Sequence, residues 1–117
     1  NNFTIVFNIR KLKLFPIVLK FIEVLKRHVD YVIISGYVSL LFGRSRTTED
    51  VDIFIKNLSL SDLKKLYVDL GKAGFWCINA DEVENLFDYL SNNTAVRFAK
   101  KGTSIPNFEI KICSKIN

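Results

Sequence analysis

The sequence predicts an α/β (α+β) domain: one mixed β-sheet with helices packed on it. Three observations lead there. Short β-branched apolar runs, YVIIS at 31–35 and VDIFI at 51–55, have the length and composition of buried strands. Between such runs lie stretches with apolar residues at helical spacing. Near the end, AVRFA (95–99) and FEIKICS (108–114) alternate in polarity on either side of KKGTSIPN, the pattern of an antiparallel hairpin.

The elements follow in order. FTIVFNI, 3–9, suits a short strand or an ordered arm. Pro16 fits the first turn of a helix, since its missing N–H is not needed there. Ile17, Phe21, Val24, Leu25 and His28 then share one face, opposite Lys20, Glu23, Lys26 and Arg27. His28 reads as a helix-end residue favoured by the macrodipole. YVIIS is a strand that Gly36 breaks. VSLLF makes a short helix ending at Gly43, and RSRTTED is a polar loop before VDIFI. Ser59 and Asp62 have the spacing of a capping box, opening a helix over 60–72 with Leu60, Leu63, Leu66, Tyr67 and Leu70 inward. FWCI, 75–78, is a further strand. Asp81 is placed to cap a helix carrying Val83, Leu86, Phe87 and Leu90. In the last strand Phe108, Ile110 and Ile112 occupy one face, and Glu109, Lys111 and Cys113 the other.

Composition sets limits. The chain has 117 residues, enough for one domain and too few for two cores, so 1–117 is taken as a single unit. The charge of +5 permits an anionic partner without requiring one. Cys77 and Cys113 are distant and lie in apolar stretches, so they read as buried thiols of a reducing, cytoplasmic protein. With one histidine and no CxxC, a zinc site is not expected. No run approaches the ~18 apolar residues of a spanning helix, so no membrane partner is expected. There is no methionine, even at position 1, and a strand-like run leads almost into Asn117. Further protein is therefore expected beyond this end. A lost helical region would leave self-association open.

The chemistry concentrates in SGYVSLLFGRSRTTEDVDIFI, 35–55. Asp50 and Asp52 are two apart on a strand and point the same way. Two adjacent carboxylates repel, and burying either is costly unless a cation neutralises them. Oxygen ligands of this kind suit Mg²⁺, which takes its remaining ligands from water and phosphate. Two such ions ~3.5–4 Å apart can activate an attacking oxygen and stabilise a leaving one. Glu109, mid-strand on a polar face, is the candidate third carboxylate, with Lys111 on the same face. Upstream, Ser35-Gly36 opens a helix, whose free N–H groups and dipole favour phosphate. Each feature also has a plain account. Glu109 can be an exposed strand acid paired with Lys111 or Arg97. Ser35-Gly36 can be a simple turn, and Arg44 and Arg46 a solvated loop. Phe75, Trp76 and Phe87 read as core or partner surface before a base-stacking platform.

Together these residues resemble the nucleotidyltransferase superfamily of the DNA polymerase β type. Its pattern is a strand–Gly-Gly/Ser–helix turn, a strand with Asp-x-Asp, then a third acid on a later strand. Ser35-Gly36, Asp50-Val51-Asp52 and Glu109 match it. GRSRTTEDVDIFI is similar to the stand-alone AbiEii-like branch, through Arg46, Thr48, Asp50 and Asp52. The similarity spans roughly residues 17–113. It implies a nucleotidyltransferase-like fold lacking the usual C-terminal helical region. It implies Mg²⁺ or Mn²⁺ on Asp50, Asp52 and Glu109, which would also be the catalytic residues. A nucleoside triphosphate would be gripped by Ser35, Gly36, Arg46 and Lys111. NMP would pass to a hydroxyl acceptor on a protein, an RNA end or a small molecule, in a toxin–antitoxin setting. The departures are Ser-Gly followed by Tyr37 in place of Gly-Gly or Gly-Ser, and Glu in place of Asp. They point to the alternative: a degenerate domain that binds nucleotide, RNA or protein without catalysis.

Overall fold

The computed structural model describes residues 15–33, 50–103 and 106–113. Its helices are α1 (Phe15–Leu25), α2 (Leu60–Lys72) and α3 (Val83–Ser91). Its strands are β1 (Tyr31–Ile33), β2 (Asp50–Ile55), β3 (Phe75–Cys77), β4 (Val96–Lys100) and β5 (Asn107–Ile112). The strands form one mixed sheet in the order β1-β2-β5-β4-β3. Only β2 and β5 run parallel; the other pairs are antiparallel. The fold is therefore mixed α+β, with three helices packed on a single five-stranded sheet among the described residues.

Period-two burial explains which face the helices cover. Val51, Ile53 and Ile55 of β2, Phe108 and Ile110 of β5, and Val96 and Phe98 of β4 are buried in one cluster. The helices add Phe21, Val24 and Leu25, then Leu63, Leu66 and Leu70, then Leu86 and Leu90. Each set follows the helical period expected of an apolar stripe. Phe21 lies flat on Phe108, with centroids 4.0 Å apart and planes at 6°. It meets Phe75 edge-on at 5.1 Å. Helix α1 is thereby fastened to three strands through aromatic rings, because Phe98 also touches Phe21 at 6.0 Å.

Local signals act largely as expected. Ser59 caps α2, with the Asp62 amide donating to Ser59 Oγ at 3.1 Å. Gly74, at φ +96°, turns the chain from α2 into β3. The β4–β5 hairpin forms with Arg97 opposite Glu109. Three expectations are corrected or narrowed. Helix α3 begins at Val83, so its cap position falls to Glu82 and Asp81 lies outside it; no side chain caps this end. Of the two expectations for Trp76, core or partner surface, the first is excluded: it is 41% exposed, on the face opposite Phe75 and Cys77. Cys113 is only half-buried, since it follows the last residue of β5, whereas Cys77 is buried. His28 stands in the turn after α1 and has a further role: its Nε2 lies 2.7 Å from Asp69 Oδ2 on α2. Among the described residues no helix is long and apolar enough to cross a membrane.

Candidate functional site

The face of the sheet opposite the helices carries the polar chemistry. Asp52 and Glu109 are direct register partners on the adjacent parallel strands β2 and β5. Glu109 in turn faces Arg97 across the β4–β5 ladder. The three residues form one row across the sheet: Asp52, Glu109, Arg97. Their backbones stand about 4.8 Å apart from strand to strand. This adjacency requires β5 to lie between β2 and β4, although β5 is last in sequence. Val51 and Ile53 are buried on either side of Asp52, and Phe108 and Ile110 on either side of Glu109. The buried neighbours fix the phase of both strands, and a one-residue slip would drive both acids into the core.

Asp50 occupies the next row on β2, in register with Asn107. Its backbone is part of the strand, and its side chain lies outside what the structure describes. Lys111, opposite Phe54, is exposed two residues beyond Glu109 on the same face. Ser35, Gly36 and Arg46, the expected phosphate-binding residues, lie outside the described residues, as do the expected helix VSLLF and the segment 3–9.

Electrostatics in the row are set by one ion pair. Arg97 Nε lies 3.9 Å from Glu109 Oε2, with side chains 48% and 36% exposed. At that distance and exposure the pair is loose and water-screened. It sets a positive charge beside Glu109 without holding that carboxylate rigidly. Carboxylate oxygens on adjacent strands are the donor type that a hard divalent cation takes. Among the described residues no group of three or more His, Cys, Asp or Glu side chains gathers as a metal cage. Asp52 and Glu109 supply two such donors, and Asp50 follows the same strand.

Two contacts escaped sequence reasoning. Asn79, after β3, accepts from the Arg97 amide at 3.0 Å and donates to the Ala95 carbonyl at 3.1 Å. It thus splints the strand that carries Arg97. The His28–Asp69 contact joins α1 to α2 on the far side of the sheet. Neither has a signal in a single sequence, because the partners are distant in the chain. No family model, curated protein or solved structure matches this chain.

Proposed function

We propose that the chain is a metal-dependent nucleotidyltransferase that moves NMP from a nucleoside triphosphate to a hydroxyl acceptor, releasing pyrophosphate. The observation that carries this reading is the register partnership of Asp52 and Glu109 on the face opposite the described helices, with Asp50 two residues before Asp52. The donor set fits the ion: carboxylate oxygens are what Mg²⁺ or Mn²⁺ prefers. Bound there, the ion would supply charge neutralisation at the phosphates and at the attacking oxygen. Asp50 and Asp52 would hold it against the triphosphate. Glu109 would take the proton of the acceptor hydroxyl as general base. Ser35 and Gly36 would donate to the β- and γ-phosphates, with Arg46 and Lys111 adding positive charge. Catalysis would rest on positioning and charge stabilisation. The acceptor class is left among a protein, an RNA end and a small molecule. A cytoplasmic setting and a toxin–antitoxin role belong to the same reading, the latter checked by growth on induction.

One observation favours a second reading. Glu109 already has a cation beside it in Arg97. If that pair is permanent, the domain is a binding module for nucleotide, RNA or protein, with its third acid neutralised. Calorimetric titration of each nucleoside triphosphate with Mg²⁺ or Mn²⁺ separates the two. Metal-dependent binding by the wild type, lost by at least about tenfold in Asp50→Asn/Asp52→Asn, is expected, since each charged ligand interaction removed is worth at least that much. Equal binding by both proteins, or none by the wild type, would sink the metal-site role.

A further inference from the structure

The outer edge of β3 is a second surface with unused chemistry. β3 is the last strand in the sheet order, two places from the Glu109 strand. The Lys101 amide donates to Gly74 and the Ile78 amide donates to Arg97. Residues 74, 76 and 78 therefore turn their backbone groups toward β4. Phe75 and Cys77 turn theirs outward, and among the described residues no strand pairs with them. Phe75-Trp76-Cys77 has no proline and no charge, and its register with β4 is unbroken, so its three-residue length is the one feature of the strand itself that limits pairing at this edge.

Apolar groups border this edge on both faces of the sheet. Trp76 is 41% exposed on one side, and Val68 of α2 is 51% exposed on the other. They line a groove of about 380 Å³ that also includes Gly71, Asp81 and Lys101. A Cβ placed at Gly71 meets nothing within 4 Å, so α2 leaves space there for an approaching chain. The Trp76 indole N–H donates to the Thr103 carbonyl at 3.1 Å. The ring is thus already held in place, which lowers the entropy cost of burying it against a partner.

The charges choose the occupant. Lys101 stands beside Gly74, where the chain enters β3, and Asp81 stands past Cys77, where it leaves. An antiparallel pairing of β3 with its own copy, about a twofold axis at Trp76, brings the Lys101 end of one molecule to the Asp81 end of the other, twice over. In that register the outward groups of Phe75 pair with those of Cys77 in the second copy. Trp76 then stands opposite its counterpart in a non-hydrogen-bonded pair, where side chains come closest. A surface complementary to itself is what an isologous dimer requires. We infer that the β3 edge is a homodimer interface, joining two five-stranded sheets into one. This holds whether or not the carboxylate row binds nucleotide.

Sedimentation equilibrium of the full chain tests it, over about 1–300 μM, the range suited to a small interface. A monomer–dimer equilibrium is expected. Lys101→Asp and Asp81→Lys should each weaken it about tenfold, because each replaces two attractions by two repulsions. Their combination in one chain should restore affinity to within about threefold, since the pairing is regenerated in reverse. Trp76→Ala should weaken it by at least about tenfold. A monomer at every concentration would overturn the inference and leave the edge to a strand of some other chain. So would a dimer indifferent to Trp76→Ala, or single swaps that the double swap does not rescue.

Discussion

Asp69 shows how one carboxylate can carry a pH dependence that has nothing to do with the acid row. The hydrogen bond from His28, first, and the positive neighbours Arg27 and Lys72, more weakly, hold its pKa below the ordinary 3.8, although desolvation pulls the other way. The folded value is therefore below the unfolded one. The stabilisation is complete above the ordinary carboxylate range and is lost as pH falls through the lowered folded value. Asp69→Asn should thus be less stable than the wild type at neutral pH, and the gap should close in strong acid. Urea midpoints at a series of pH values check this; a gap that is constant with pH would assign the destabilisation to packing alone. This contact spans 41 residues of sequence, so nothing local announced it. Glu109 was easier to find. A glutamate between Phe108 and Ile110 breaks an apolar run with period two, and that pattern alone sets its face. Trp76 was left between core and partner surface for the same reason in reverse: its strand is only three residues long, too short for alternation to declare itself.

Among the elements, local chemistry was legible and neighbourhood was not. Helix α2 was marked at its start by Ser59, and Gly74 turns the chain just past its end; both act through the chain's own backbone. Ser59→Ala removes the oxygen that accepts from the Asp62 amide. It should cost about 1 kcal/mol by chemical denaturation, whereas Ser59→Gly should cost only a few tenths. Equal losses from both would mean the hydroxyl contributes nothing specific. Helix α3 lacked so clear a start because two acids, Asp81 and Glu82, precede it, and the longer one occupies the cap position without bonding there. The insertion of β5 between β2 and β4 could not be read locally at all. It depends on which strand ends the helices bring together, and a single sequence records each strand without its neighbours. Yet this insertion decides the candidate site, since without it Asp52 and Glu109 would not share a row.

For the molecule as a whole, the question is what seals the sheet against its helices. The fold class followed from periodicity, because strands two-faced in polarity and helices with one apolar stripe have few ways to bury both. The keystone of the core did not. Phe21 is fully buried and lies between the rings of Phe75, Phe98 and Phe108, on three different strands. In the sequence it is one apolar residue of a helical stripe among several. Removing its ring deletes contacts to all three strands and leaves a cavity that α1, held also by Val24 and Leu25, cannot collapse into easily. Phe21→Ala should therefore cost about 3–5 kcal/mol, a large share of the ~5–15 kcal/mol typical of a domain. Phe21→Leu should cost distinctly less, because most of the volume is kept. Since a single cluster joins the helices and strands, near-ultraviolet and far-ultraviolet circular dichroism should report one coincident unfolding transition in the wild type. A Phe21→Ala penalty below about 1 kcal/mol would show that α1 is an appendage to the core. Two separated transitions would show that the sheet persists without it.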